Sequence, residues 1–454
     1  MVDRAVCSFV FVALLATTVA AQETSPTGAA TAPEPEVSRE EFEALQQQMA
    51  ELEARMDEAD AARMDDLAGE FKPSLDVYGF MAVYGGKWFV EKSSPLYGVM
   101  NTKLSFGVTD INVYLSGHVT RTVDSLVELR FTFMPHGADE FPTLARMDTT
   151  VVNANTSEEF TLGGVIVERA QFTWQPRDFI GVTAGRFLTP FGIWNIDHGA
   201  PVIIPVNQPY IILRHLMPLA QTGVYIHGRV FPLSSLQFEY GLTLSNGRGP
   251  ADASYDVDEN KAVGLRLRFD YRHNRNVGVA LGAYGFLGTR TDDVKAVDVA
   301  SLAVGRDVTE KYREYAASAD LLLTLWGFRI QSEWAGAVIR YDVRPPSVIP
   351  LLDISDASHL QPDYLRWDVY VMLAYEWKFK TRMGEMRLTP YVLGERDVMY
   401  DNTPLYNVWF LRWGLNFRPH PRVTFKLDAT AGTFPDNDLL SDVWNISGQA
   451  SLVF

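Results

Sequence analysis

Leu365-Arg366-Trp367-Asp368-Val369-Tyr370-Val371-Met372-Leu373-Ala374-Tyr375-Glu376-Trp377-Lys378 sets Leu365, Trp367, Val369, Val371, Leu373, Tyr375 and Trp377 on one parity. Arg366, Asp368, Glu376 and Lys378 fall on the other. Side chains of an extended chain point alternately to two faces, so period two marks a strand with one apolar and one polar face. The stretch is longer than the roughly 5–6 residues of a strand in a soluble sheet, and suits a tilted bilayer crossing of ~9–11 residues. Val127, Leu129, Phe131 and Phe133 repeat the pattern around Glu128, Arg130 and Thr132, as do Leu265, Leu267, Phe269 and Tyr271 around Arg266, Arg268 and Asp270. Trp409, Leu411, Trp413, Leu415 and Phe417 repeat it around Arg412 and Asn416.

Sixteen such stretches fit between Ser74 and Phe454, and no long helical period survives there. The alternation slips phase between Val108 and Ile111 and near Glu168, which marks either bulges or miscounted residues. Gln175-Pro176-Arg177, Pro232-Leu233, His273-Asn274-Arg275, Trp326-Gly327, Lys380–Gly384 and Pro419-His420-Pro421 read as short turns, with longer polar connections between them. Short and long connections alternate in a bacterial outer-membrane barrel, whose even strand number leaves both chain ends on the short-turn side. The expected fold is therefore all-β, a 16-stranded antiparallel transmembrane β-barrel over residues 73–454. Trp174, Phe231, Tyr271, Trp326, Trp377 and Phe417 stand beside the short turns, and Trp88, Phe89, Trp367, Tyr400 and Trp409 beside the long loops. Two interfacial girdles account for that layout; ordinary strand-end packing is the alternative.

Upstream, residues 1–21 carry Arg4, the apolar run Val6–Ala16 and small residues before Gln22, the order of a secretory signal peptide. Residues 22–37 form a flexible Thr/Ala/Pro/Glu spacer. Residues 38–70 read as a periplasmic helix capped by Ser38, with Phe42, Leu45, Met49, Leu52 and Met56 spaced as a coiled-coil seam. Self-association and a lone solvated helix both remain open for so short a seam.

The sequence has 40 Lys+Arg, 56 Asp+Glu and a formal charge of −16. Between Glu34 and Lys72 the net is −9, from 13 acids and 4 bases, so Pro73–Phe454 carries only −6. This balance argues against nucleic acid as a partner, because a phosphate backbone needs a concentrated basic face. The single cysteine, Cys7, excludes a disulfide framework and a cysteine metal cluster. Mean hydropathy of −0.05 suggests a soluble chain, but alternating strands hide a membrane signal of this kind.

The last strand, Asn445 to Phe454, alternates apolar residues and ends in phenylalanine, resembling the C-terminal signal that outer-membrane proteins show to the barrel-assembly machinery. Val182-Thr183-Ala184-Gly185-Arg186-Phe187-Leu188-Thr189-Pro190-Phe191-Gly192 resembles the Gly-x-Phe-x-x-Pro-Phe-Gly signature of the phosphate-selective porin O/P family. The resemblance implies a sixteen-stranded, trimeric, passive channel, set among membrane lipids and lipopolysaccharide. It also implies a lysine cluster at the constriction of phosphate-selective members. The corresponding connection here contains no lysine.

In such a barrel the polar parity lines the lumen. The expected lining cations are Arg130, Arg229, Arg266, Arg268, Arg329, Arg366, Arg387, Arg412 and Lys426. Glu128, Glu239, Asp270, Glu333, Asp368 and Glu395 are the expected lining acids. A basic ladder biases passage toward anions, whereas an evenly mixed wall selects little. Connection 189–218 is rich in Ile, Trp and Tyr, too apolar to float in water, and reads as an inward-folding constriction; a latch onto a neighbouring subunit is the alternative. Its candidate site residues are Trp194, Asp197, His198, Tyr210, Arg214 and His215.

No catalytic constellation, zinc spacing or phosphate-cradling glycine loop emerges, so no enzyme activity and no cofactor are expected. Asp256-Val257-Asp258-Glu259 and Asp436-Asn437-Asp438 read as solvated loop tips, with a loop calcium site as the alternative. Two functions compete. One is an outer-membrane porin for small hydrophilic, including anionic, solutes; the other is an envelope anchor acting through the helix.

Overall fold

A computed structural model describes residues 72–98, 100–135, 160–213, 215–248, 259–291, 294–298, 303–307, 311–343, 363–382, 384–398, 407–437 and 440–454. The signal, spacer and coiled-coil seam, with Arg214, Tyr400 and the 256–258 stretch, lie outside these residues.

The strands are β1 (Ser74–Phe89), β2 (Ser105–Thr120), β3 (Val123–Pro135), β4 (Phe160–Arg177), β5 (Ile180–Leu188), β6 (Ala220–Leu233), β7 (Leu236–Ser245) and β8 (Ala262–Asn274). They continue as β9 (Val277–Thr291), β10 (Lys311–Leu325), β11 (Phe328–Val343), β12 (Tyr364–Tyr375, resuming at Trp377–Thr381) and β13 (Gly384–Val398). The last three are β14 (Val408–His420), β15 (Val423–Thr433) and β16 (Val443–Val453). Each pairs antiparallel with its neighbours in sequence, and β16 pairs with β1 from Phe80↔Val453 to Phe89↔Trp444. The sheet is a closed 16-strand antiparallel barrel. Closure removes the free edges of the sheet, so the backbone of the wall pairs from strand to strand around the barrel, apart from its bulges. A small hairpin, Val294–Asp298 with Ala303–Asp307, stands in the connection after β9, where the sequence suggested only a polar loop.

Both phase slips are bulges. Ala82 pairs with Asp110 and Val83 with Val108, leaving Thr109 as the extra residue; Glu128 pairs with Arg169 and Leu129 with Val167, leaving Glu168. Several short turns lie two residues beyond their expected positions. β4 runs through Pro176, β6 through Pro232 and β14 through Pro419, each within a register shift just before its turn. Proline donates no ladder hydrogen bond, and a bulge leaves a residue unpaired, so the two defects share one site. Trp326-Gly327 does form its turn, with φ of 47° and 93°, the mirror-image hairpin geometry that twisted strands favour.

The two faces separate by chemistry. Leu75, Phe106, Leu265, Leu287, Val371, Leu411, Leu427 and Ile446 are exposed on the outside. Trp174, Phe231, Tyr271, Trp326 and Trp377 are exposed near the short turns, and Phe89, Trp409 and Trp444 near the long loops. Asn112, Glu128, Arg266, Glu333, Asp368, Arg412, Lys426 and Asp428 are buried on the inside. A soluble fold has the opposite distribution.

Candidate functional site

The interior is occupied by segment 189–219. β5 ends at Leu188, and the chain turns inward through Pro190 and Gly192. Gly192 has φ +60°, and a β-carbon there would run into the Glu333 carboxylate. The two ends of the segment are stapled together. The Thr189 amide donates to Leu219 O at 2.9 Å. Asn195 Nδ2 donates to both Thr189 O (2.7 Å) and Leu219 O (2.9 Å). The segment is thus an Ω-like loop with a closed neck.

From that neck the loop runs across the inner wall, held at each step by a polar residue pointing inward. Arg266 Nη1 donates to Pro190 O at 2.7 Å, and the Trp194 amide to Glu333 Oε1 at 3.1 Å. Lys426 Nζ donates to Ala200 O (2.6 Å) and Pro205 O (2.9 Å), and Asn416 Nδ2 to Ile204 O (3.0 Å). The Val206 amide donates to Asp428 Oδ2 at 2.5 Å, Arg412 Nη1 to Asn207 O at 2.8 Å, and the Tyr210 amide to Glu395 Oε1. At the return, Arg366 Nη2 reaches Leu216 O (3.2 Å) and Arg248 Nη2 reaches His215 O (2.7 Å). Each such bond contributes only ~1 kcal/mol net, but a buried loop carbonyl left unpaired costs about 1–3 kcal/mol, so the staples are needed as a set.

Apolar packing completes the hold. Phe191, Ile193, Trp194, Ile203, Ile211, Ile212, Leu216 and Met217 form one buried cluster with Tyr284, Phe286, Tyr312, Ile339 and Tyr370 of the wall. Trp194 meets Tyr370 edge-on at 6.2 Å, and Tyr210 stacks on Phe410 at 4.6 Å. Across the lumen, Ala200 packs with Phe80 of β1. His198 lies within electrostatic reach of Asp110 and Glu128, and Asp197 within reach of Arg329. The loop therefore spans from the β8–β16 side of the wall to β1 and β2.

The expected lining residues separate into three groups. Arg266, Arg366, Arg412, Lys426, Glu333 and Glu395 lie under the loop and hold it, so they do not face open water as the sequence suggested. The occupant that displaces water is the loop backbone itself, whose carbonyls and amides they bond. A second group is paired within the wall. Arg130 meets Glu168 at 2.9 Å, Glu128 meets Arg169 at 2.6 Å and Arg268 meets Asp320 at 3.0 Å. Arg387 meets Glu385 at 3.0 Å, Asp270 meets Arg272 at 3.3 Å, and Arg229 stands in register with Glu239. Arg329 bonds Gln331 (2.7 Å), and Asp368 is buried in register with Asp397. A third group is the loop's own: Trp194 and Tyr210 are buried, Asp197 and His215 exposed, and His198 half-buried. A cavity of ≈ 440 Å³ near the short turns is lined by Glu385, Arg387, Arg418 and His420, among others.

Several partners were not among the expected site residues, Asp320 and Asp428 among them. Glu314 takes both Arg248 (2.7 Å) and Arg366 (2.9 Å), and so clamps the return of the loop. Its parity with Tyr312, Ser318 and Asp320 was available in the alternation of β10. Glu168 and Arg169 were hidden by the bulge, which breaks the parity rule at that point.

No family model matches the chain, and no curated protein matches it. Among solved structures, it is similar to an anion-selective porin from Comamonas acidovorans, with 9% identity, a TM-score of 0.48, and coverage of 84% of this chain and 100% of that one. It is also similar to a loop L8 deletion mutant of OmpT, an outer membrane protein of Vibrio cholerae (11% identity, TM-score 0.47, 84% and 99% covered). A third is the outer membrane channel DcaP of Acinetobacter baumannii (10% identity, TM-score 0.46, 85% and 99% covered). The likeness to the phosphate-selective porin O/P signature remains confined to the stretch around Gly185–Gly192, without a family match beyond it.

Proposed function

We propose that this chain is an outer-membrane porin, a channel for passive diffusion of small hydrophilic solutes whose passage is narrowed by the inward-folded loop 189–219. The observation that carries the proposal is the loop's position: a closed barrel, apolar outside and polar inside, has its lumen partly filled by a segment hydrogen-bonded to the wall from β8 to β15 and packed against Phe80 of β1. A barrel serving only as an anchor gains nothing from a loop held in this way. Short turns face the periplasm in this reading, and the signal-peptide pattern of residues 1–21 fits export toward that membrane.

Selectivity is weak. The expected basic ladder is largely neutralised by partners within the wall or spent on the loop, so little uncompensated positive charge faces a passing ion. Purified full-length protein in planar bilayers should give discrete conductance steps, with a small reversal potential in asymmetric salt. A protein that inserts, shows heat-modifiable gel migration and never conducts sinks the proposal in favour of the anchor.

A further inference from the structure

The loop bonds the wall from β8 to β15 and meets β6 at its neck, where Gln221 Nε2 donates to Thr189 Oγ1 at 3.0 Å. On the short-turn side of that neck, the inner face of β4–β7 is left to the lumen. Its chemistry differs from that of the charged stretches beside it. Thr173, Thr183, Tyr225 and Thr243 stand in one row across the four strands, so that hydroxyl follows hydroxyl. Thr183 and Thr243 are buried on the inside, while Val224, Ile226, Leu242 and Leu244 are exposed on the outside. The next row toward the neck has glycine on its two middle strands, Gly185 and Gly223. The next row toward the short turns sets His227 between Gly181 and Gly241.

These last two glycines make room for rings. A β-carbon at Gly181 would stand 2.7 Å from His227 Cε1, and one at Gly241 would stand 2.5 Å from Tyr225 Cε2. The Tyr225 ring lies 4.6 Å from His227 and 5.7 Å from Phe187, with planes 28° and 25° from parallel. Thr183 Oγ1 bonds His227 Nε2 at 3.0 Å and Thr173 Oγ1 at 2.8 Å, which fixes the imidazole. Tyr225 Oη and His227 Nδ1 have no hydrogen-bond partner among the described residues, and both side chains are half-buried. On the loop, Ile196 follows the neck residue Asn195 and is 41% exposed inside the barrel.

The patch itself holds no carboxylate, lysine or arginine. Charge begins on either side, with Arg169 and Glu128 at 2.6 Å toward the long loops and Arg229 in register with Glu239 toward the short turns. Arg266, in register with Gly241, is committed to Pro190 O at 2.7 Å. An anion is held by donors and a cation by acceptors. A hydroxyl is both, and so matches a solute that carries hydroxyls of its own. The rings add an apolar surface for the C–H groups of a cyclic solute. We infer that this patch is a subsite for a neutral cyclic polyol, a single pyranose ring, on its way through the lumen. It rests on the channel reading above and names the class of solute. An acyclic polyol offers the same hydroxyls without a rigid face, and loses more conformational entropy on binding.

The test adds D-glucose, sorbitol or glucuronate to full-length protein in planar bilayers. It also reads saturation transfer by NMR from detergent-solubilised protein to each solute. Glucose should lower the single-channel conductance saturably, beyond its effect on the bulk electrolyte, and should take up saturation. Sorbitol should bind severalfold more weakly. Tyr225→Ala should weaken the glucose block roughly tenfold, and Tyr225→Phe, which keeps the ring, about threefold. Both variants should keep the unheated gel migration of a folded barrel. Glucose that neither blocks nor takes up saturation overturns the subsite, as does a block unchanged in both variants. Block by glucuronate alone overturns it in favour of an anion site, and equal block by sorbitol in favour of general drag on polyols. A barrel that never conducts sinks the channel, whereas saturation transfer that is lost in Tyr225→Ala upholds the subsite even then.

Discussion

Gly192 occupies a place that no other residue fills without strain. Its φ of +60° is left-handed, and a β-carbon would meet the Glu333 carboxylate, which already accepts from Tyr370 Oη (2.6 Å) and the Trp194 amide. Gly192→Ala is therefore expected to cost about 1–3 kcal/mol locally, and to loosen the loop without unfolding the wall. Lys426→Met should act alike, because it strands the carbonyls of Ala200 and Pro205 at about 1–3 kcal/mol. In both variants chymotrypsin should cut after Trp194 or Tyr210, which wild type protects by burial, while unheated gel migration stays that of a folded barrel. Protection equal to wild type would mean that the remaining staples suffice. At this scale the sequence shows which side of a strand a residue takes, but not its partner. Glu314 and Arg248 are 66 residues apart and meet only because the barrel closes and the loop returns between them.

Strands were the most legible elements, because a wall with lipid on one side and polar groups on the other imposes period two along its whole length. The rule failed where the backbone breaks it: at the bulges of Thr109 and Glu168, and at Pro176, Pro232 and Pro419, which look like turns but sit within strand ends. The inward loop was legible for a different reason. Its Ile, Trp and Tyr content is too apolar for a solvated connection, and the structure buries Ile193, Trp194, Ile203, Ile211 and Ile212 against the wall. What the composition could not show is that the loop takes the inner face of β11–β15 out of water. As an element, the loop is dispensable to the ladder, since no strand pairs with it. Deleting Ile193–Arg214 should therefore leave a heat-modifiable barrel and raise its single-channel conductance. Unchanged conductance would exclude a constricting role.

For the molecule as a whole, the formal charge of −16 is a poor guide to what a passing ion meets. The span from Pro73 to Phe454 carries only −6, and inside the barrel several acids and bases are matched at contact distance. Arg130–Glu168 at 2.9 Å and Arg268–Asp320 at 3.0 Å are the clearest wall pairs away from the loop staples. Matching makes selectivity a small difference between opposed charges, and so an easily altered one. Neutralising both acids by Glu168→Gln and Asp320→Asn leaves two arginines without counter-charge and keeps the side-chain shapes. An uncompensated unit charge within 4 Å of a permeating ion contributes ~1 kcal/mol in a water-like medium, roughly a fivefold bias. The double variant should therefore shift its reversal potential in a salt gradient toward anions, and high salt should erase the shift, because the Debye length falls to about 3 Å at 1 M. A reversal potential equal to that of wild type at low salt would place the ion path away from both pairs, on another part of the wall.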